Sequence, residues 1–192
     1  MMTNTNWLVV GLGNPGKSYQ STRHNIGAMV IEHGVNELGE NLKLNKKLYS
    51  NICETKLGLN KIIFASLTSY MNESGGPVSA LMNFFKISTD NLIVLHDELD
   101  LEYGDIRIKQ GGGDNGHNGL KSIRNSLDSG EYIRIRLGIG RPPGEMDPAD
   151  FVLKPFNFFE KSKLTEFLNM GNKAISDVVN YGVSQAQNLN NG

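Results

Sequence analysis

Residues 7–18 have the sequence WLVVGLGNPGKS, in which a short apolar run leads into a glycine-rich turn. An apolar run of this length, bounded by turn residues, is typical of a buried β-strand. Further strands are predicted at about residues 49–55, 61–67, 92–95, 106–109 and 132–139, and helices at about residues 25–38, 77–85, 117–127 and 164–178. Strands that alternate with helices in this way predict a single α/β domain, with a mixed, largely parallel sheet covered by helices.

Length and composition set the limits of this prediction. With 192 residues, 39% of them hydrophobic, the chain can build one core. We assign residues 1–183 to one domain and expect the polar residues 184–192 to form a frayed tail. The single cysteine, Cys53, excludes an internal disulfide and suits a reducing compartment. The first apolar run is too short for a signal peptide or a membrane span, which predicts a cytoplasmic protein without a membrane partner.

The overall charge does not announce a nucleic-acid partner. The chain has 19 basic and 20 acidic residues and a net charge of −1, so only a local basic patch could bind RNA. Residues 132–139 alternate apolar side chains with Arg134 and Arg136, which predicts a half-exposed strand with one basic side. Taken alone, such clusters also fit an ordinary solvated surface.

The glycine-rich segment matches two nucleotide-binding motifs. Gly11, Gly13 and Gly16 fit the dinucleotide fingerprint, whereas Gly16, Lys17 and Ser18 fit the end of a phosphate-binding loop. A phosphate-binding loop requires a helix that begins at once, yet residues 17–25 contain no aliphatic side chain. The dinucleotide fingerprint lacks its acidic residue at the end of a second strand. A nucleotide-binding hydrolase that uses Lys17, Ser18 and Asp97 remains the alternative hypothesis.

Polar side chains follow several predicted strands or precede the helices that come after them. In an open α/β sheet, ligands bind at the edge where the strands end. The chain contains neither a Gly-x-Ser-x-Gly nucleophile motif nor a His-Glu-x-x-His zinc motif. A single histidine before a helix is more often a capping or packing residue, and the pattern alone leaves that reading of His24 open. The side chains expected at this edge are Asn14, His24, Asn25, Met71, Asn72, Asp97, His117 and Asn118.

Five segments together resemble the bacterial peptidyl-tRNA hydrolase family, in order and in spacing. They are GLGNPGKSYQSTRHNIG from Gly11, SYMNESG from Ser69, HDELDLEYG from His96, GHNGLKSI from Gly116 and RIRLGIGRP from Arg134. The resemblance extends from Trp7 to about Tyr181. It implies a compact, usually monomeric domain with a twisted mixed sheet, and an esterase that frees tRNA from prematurely released peptidyl-tRNA without a metal or cofactor.

The resemblance also implies roles for individual residues. His24 would be the catalytic base and Asp97 its partner, with Asn14 holding water or the developing oxyanion. The substrate would contact Tyr19, Met71, Asn72, His117 and Asn118, and the tRNA would contact Lys109, Arg136 and Lys121. We also expect free backbone amides at the start of the helix near His117 to bind a phosphate. Asp114 and Asn115 depart from the family pattern, which commonly has histidine and glycine there, and Asp114 is expected to weaken RNA binding.

Overall fold

The computed structural model of the protein describes residues 5–192. The strands are β1 (Asn6–Gly11), β2 (Lys43–Asn45), β3 (Ser50–Leu57), β4 (Asn60–Leu67), β5 (Leu92–Glu98), β6 (Ile106–Gln110) and β7 (Ile133–Gly138). The α-helices are α1 (Ile26–Glu37), α2 (Gly75–Phe85), α3 (Asn118–Leu127), α4 (Pro148–Val152), α5 (Phe158–Ser162), α6 (Leu164–Tyr181) and α7 (Val183–Asn190). Short 3-10 helices span Arg23–Asn25, Lys46–Leu48, Met71–Glu73 and Thr89–Asn91.

The seven strands form one sheet in the order β2-β3-β4-β1-β5-β7-β6. The four central strands, β4, β1, β5 and β7, are parallel, and the outer strands β2, β3 and β6 pair antiparallel. Because the central strands share one direction, their carboxyl ends meet at a single edge of the sheet. The structure confirms the predicted α/β domain with a mixed sheet.

Helices cover both faces of the sheet because the central strands are apolar on both sides. Val9, Ile93 and Leu95 pack with residues of α1, α6 and α7 on one face. Leu8 and Val94 pack with residues of α2 and α3 on the other face. This packing fixes the starts of α1 and α3 beside the carboxyl edge of the sheet.

Two glycines of the segment that resembles a nucleotide motif are required by helix packing. A Cβ atom on Gly11 would lie 2.2 Å from the carbonyl oxygen of Gly27, and one on Gly27 would lie 2.3 Å from that of Leu95. The start of α1 therefore crosses β1 and β5 at a distance that only glycine permits. These contacts place the residues just before α1 directly over the end of β5.

The structure corrects two expectations and leaves part of a third untested. The C-terminal segment is not frayed: α7 packs on β6, Ala186 is fully buried, and Asn191 bonds to both backbone groups of Ile108. β7 is not half exposed, since Arg134 is buried beneath a loop. Residues 1–4 of the assigned domain lie outside the described residues. Within residues 5–192, none of the helices is both long and apolar enough to cross a membrane.

Candidate active site

A histidine and an aspartate meet at the carboxyl edge of the sheet. His24 lies in the 3-10 helix before α1, and Asp97 is the penultimate residue of β5. Nδ1 of His24 lies 2.9 Å from each carboxylate oxygen of Asp97, and both side chains are buried. A carboxylate only accepts, so Nδ1 carries the proton and donates it to Asp97. Nε2 of His24 is therefore the basic nitrogen, and it has no hydrogen-bond partner within residues 5–192.

A second imidazole binds the same carboxylate. Nε2 of His117 lies 2.9 Å from Oδ1 of Asp97. Nδ1 of His117 accepts the backbone N–H groups of Gly119 and Leu120, so this side chain is the N-cap of α3. Nδ1 is thus the unprotonated nitrogen, and Nε2 donates to Asp97. Because His117 occupies two amides at the start of α3, these amides do not form the free phosphate site that we expected.

The geometry of His117 bears on metal binding. Ligand atoms of His24, Asp97 and His117 lie within 4.8 Å of one another, which is close enough in principle to hold one ion. A neutral imidazole that binds a metal through Nε2 must carry its proton on Nδ1. That proton would break the cap of α3, because Nδ1 of His117 already accepts two N–H groups. The three side chains are therefore arranged to exchange hydrogen bonds with one another rather than to hold a metal.

Burial and charge act in opposite directions on the ionisable groups here. Burial lowers the pKa of His24, but the Asp97 carboxylate outweighs it, so the pKa is raised above its ordinary value of 6.5. Burial alone would raise the pKa of Asp97, yet the two imidazoles hold it well below its usual range. Burial and the nearby His117 lower the pKa of His96 to about 3. Asp97 therefore stays ionised and His96 stays neutral at physiological pH.

A cavity of about 490 Å³ opens beside these residues, and we call it the catalytic cleft. His24, Asp97, His117 and Asn118 border it on one side, and α4 borders it on another. Arg23 fixes the segment after α4: it donates to the backbone of Lys154 and Pro155 and pairs with Glu160 at 2.6 Å. The cleft thus offers space for an ester group next to the free nitrogen of His24.

Asn14 borders a different cavity, of about 370 Å³, on the far side of the glycine-rich turn. Its Oδ1 accepts the backbone N–H of Met71 at 2.8 Å. The side chain of Asn25 bonds to both backbone groups of Asn14, which links Asn14 to the residue beside His24. Because Oδ1 is engaged, the Nδ2 group of Asn14 is held as a donor in a fixed direction.

The remaining predicted peptide contacts surround this turn. Tyr19 packs edge-on against Tyr70, with ring centres 6.4 Å apart. Met71 is buried, whereas the Asn72 side chain is exposed and makes no hydrogen bond within residues 5–192. The structure thus places Tyr19, Met71 and Asn72 around the turn that carries Asn14, without a direct contact to His24 among the bonds described above.

A second cavity, of about 280 Å³, adjoins the catalytic cleft and carries most of the basic groups; we call it the basic pocket. Lys109 on β6 and Arg136 on β7 border it, as predicted for strands that end nearby. Nε of Arg136 donates to Glu98 at 2.9 Å, which leaves the outer nitrogens of the guanidinium group without a partner in residues 5–192. Lys121 is exposed on α3 and borders neither cavity.

The loop between β6 and α3 forms the shared wall of the two cavities. Buried Arg134 holds it by donating to the carbonyl groups of Gly112 and Gly113 at 2.8 and 2.6 Å. Asp114 pairs with Arg124 at 3.3 Å. Asn115 has a left-handed backbone, with φ of 49°, and its side chain donates to Asp100 and Glu98. Both departures from the family pattern therefore anchor the loop.

The structure does not favour the phosphate-binding-loop hypothesis. α1 begins at Ile26, well beyond Ser18, and no helix follows the glycine-rich turn directly. Lys17 and Ser18 are exposed, and Lys17 borders the cavity of Asn14, whereas Asp97 borders the catalytic cleft. Lys17 and Asp97 thus do not face a common ligand.

Sequence reasoning missed several residues of this site. We interpreted His96 as a packing residue on the opposite side of the sheet from Asp97, yet its ring lies 5.1 Å from that of His117. We took Glu98 for part of a polar turn, although it is buried in β5 and bonded to Arg136. Both could have been suspected from the strand period, since His96 and Glu98 alternate with Asp97 and end at the same edge.

An imidazole oriented by a buried carboxylate, with its second nitrogen facing a cleft, defines a hydrolase site of the general-base class. Comparison with known proteins agrees. The sequence profile of the peptidyl-tRNA hydrolase family matches residues 8–192, so the chain belongs to that family.

Individual relatives are similar over nearly their whole length. The peptidyl-tRNA hydrolase of Rhodococcus erythropolis is 48% identical over 181 residues, covering 94% of this chain and 95% of that protein. That of Streptomyces coelicolor is 46% identical over 190 residues, covering 96% and 94%. The crystal structure of the enzyme from Acinetobacter baumannii has a TM-score of 0.88 at 33% identity and covers 95% of this chain and 92% of its own.

Proposed function

We propose that the protein hydrolyses the ester bond between a peptide and the 3′-terminal adenosine of tRNA, with His24 as the general base. The family membership supports the reaction, and the carboxylate-bound imidazole at the cleft supports the role of His24. The observation that carries the proposal is the orientation of His24: its Nδ1 proton is held by Asp97, so Nε2 faces the cleft as an acceptor.

The reaction needs no covalent intermediate. A water molecule attacks the ester carbonyl carbon while Nε2 of His24 removes one of its protons, a contribution of roughly 10²- to 10⁴-fold. The imidazolium that forms is stabilised by the Asp97 carboxylate at 2.9 Å. When the bond between the carbonyl carbon and the ribose oxygen breaks, His24 returns the proton to that oxygen. The products are the peptide carboxylic acid and a tRNA with a free hydroxyl group.

Asparagine side chains would supply the remaining polar contacts. Asn14 presents its amide group in a direction fixed by Met71, which suits a donor to the attacking water or to the developing oxyanion. Asn118 borders the cleft and is exposed, which suits contact with the peptide group of the substrate. Tyr19, Met71 and Asn72 would extend this contact along the peptide, and His117 would hold Asp97 in place.

The basic pocket would bind phosphates of the acceptor stem. Lys109 and Arg136 border it, and Glu98 orients Arg136 so that its outer nitrogens are available to an anion. Lys121, exposed on α3, would add a weaker contact. The Asp114–Arg124 pair removes one free cation from the neighbourhood, which is consistent with modest RNA affinity.

Release of labelled peptide from peptidyl-tRNA by the purified protein tests the reaction. The proposal predicts full activity in EDTA, because every group assigned to the chemistry is a side chain. It also places the protein in the cytoplasm as a monomer, on the basis of its single cysteine and the origin of its substrate in translation. Strong inhibition by the chelator would contradict the mechanism.

A salt series tests the phosphate contacts. Each phosphate contact adds about 0.7 to 0.9 to the slope of log affinity against log salt. Lys109→Ala and Arg136→Ala should each weaken tRNA binding and flatten this slope by about one contact, and should raise KM more than they lower kcat. Lys86→Ala, an exposed lysine at the end of α2, is the matched control. An unchanged slope in both site variants would place the tRNA elsewhere on the protein.

A further inference from the structure

The catalytic cleft and the basic pocket meet at a small set of residues. His96, Glu98 and Asn115 border both cavities. His96 and Glu98 are buried, with 2% and 6% of their surface exposed, whereas Asn115 is exposed. Of the three shared residues, Asn115 is therefore the one that a molecule extending from one cavity to the other would meet.

The side chain of Asn115 is held in one orientation. Nδ2 donates to Oδ2 of Asp100 at 2.8 Å and to Oε1 of Glu98 at 3.3 Å. Glu98 also accepts from Arg136, and Asp100 pairs with Arg141, so both acceptors are themselves fixed. Because both bonds use Nδ2, the carbonyl oxygen Oδ1 is left as an acceptor with no partner in residues 5–192.

The backbone at this position shows that the side chain is kept against a conformational preference. Asn115 has φ of 49°, a left-handed conformation that glycine adopts more readily. Asparagine tolerates this region better than most residues do, and its bonds to Asp100 and Glu98 compensate for the remaining cost. The side chain thus contributes what glycine at this position would not: a link across the wall and an acceptor above it.

We propose that Asn115 is a substrate-positioning residue that receives the single-stranded 3′ end of the tRNA where it crosses from the basic pocket to the catalytic cleft. This inference rests on the proposed function, which puts a phosphate in the basic pocket and the ester beside His24. The strand between them offers ribose 2′-hydroxyl and base amino groups as donors, and Oδ1 of Asn115 is an acceptor. A neutral acceptor also avoids the repulsion that a carboxylate would exert on the phosphates.

Kinetics with two substrates test the proposal. One substrate is peptidyl-tRNA, and the other is an N-blocked aminoacyl ester of adenosine, which has no phosphate and cannot reach the basic pocket. Asn115→Ala and Asn115→Gly should raise KM for peptidyl-tRNA by about threefold to tenfold, the range expected for one lost hydrogen bond, with kcat near the wild-type value. Both variants should cleave the adenosine ester as well as the wild type does.

The controls separate this role from a structural one. Lys86→Gly also replaces a non-glycine residue of positive φ, 55°, at the end of α2, and should alter neither KM. An unchanged or lower KM for peptidyl-tRNA in both Asn115 variants would overturn the inference. An equal loss on both substrates would overturn it as well, because the residue would then act through the general structure of the loop. A wild type that cleaves neither substrate would overturn the proposed function and this inference together.

Discussion

Replacement of Asp97 by asparagine removes the charge that stabilises the His24 imidazolium and changes little else in shape. Asp97 and His24 are in direct contact, and both are buried, so the charge centres lie roughly 5 Å apart. At an effective dielectric constant of about 20, two unit charges at that separation attract by about 3 kcal/mol. A transition state that contains the imidazolium would lose about this much, which corresponds to about a 100-fold lower kcat.

The assay is single-turnover release of labelled peptide from peptidyl-tRNA at saturating enzyme, which reports chemistry separately from binding. We expect Asp97→Asn to lower the rate about 100-fold and to leave tRNA affinity close to that of the wild type, since the basic pocket does not include residue 97. Asp90→Asn is the matched control: it makes the same charge change on an exposed residue just before β5, at the opposite edge of the sheet. A rate for Asp97→Asn within about threefold of that of the control would refute the reasoning.

Three further predictions concern the same elements. The acid limb of kcat/KM should report the raised pKa of His24, so activity should fall as pH drops through a value above 6.5, and Asp97→Asn should move the limb to lower pH; a limb that stays in place would contradict this. Gly27→Ala should cost about 1–3 kcal/mol and lower Tm by several degrees, because its Cβ would lie 2.3 Å from the Leu95 carbonyl oxygen; an unchanged thermal melt would show that α1 can move away. Arg134→Met should speed hydrogen exchange of residues 111–117, since it removes the donors to Gly112 and Gly113; unchanged exchange would show that other contacts hold the loop.

The edge of the sheet that carries the site could be predicted from the sequence, because strand ends and helix starts have local signatures. Asn14, His24, Asp97 and His117 each follow a strand or precede a helix, and the structure places all four at that edge. The helix-packing role of Gly11 and Gly27 was not predictable in the same way, because the same spacing also fits nucleotide motifs. Only the late start of α1 distinguished the two readings in advance.

Contacts between elements required the structure. The bond between Arg136 and Glu98 depends on the pairing of β5 with β7, in which His96 lies beside Arg136. Alternation in residues 132–139 predicted an exposed basic side, but the glycine loop after β6 covers Arg134 with backbone carbonyl groups. Sequence periodicity describes the strand alone and carries no information about a loop that returns from elsewhere in the chain.

The C-terminal segment shows a related limit. Residues 184–192 are polar and predicted a frayed tail, yet α7 forms because Ala186 packs into the core and Gln187 and Asn191 bond to Ile108 of β6. These side chains provide the hydrogen-bond partners that an edge strand otherwise lacks. Amide-rich sequence therefore covered a sheet edge here, and composition alone did not distinguish that role from disorder.

The central claim is that His24 removes the proton from the attacking water. The most direct measurement is peptide release by His24→Ala in EDTA, combined with its affinity for tRNA. The account predicts a rate at least about 100-fold below that of the wild type with tRNA binding preserved, since a positioned base contributes that much or more. A variant that binds tRNA normally and keeps more than about a tenth of the wild-type rate would contradict the assignment of His24 as the base.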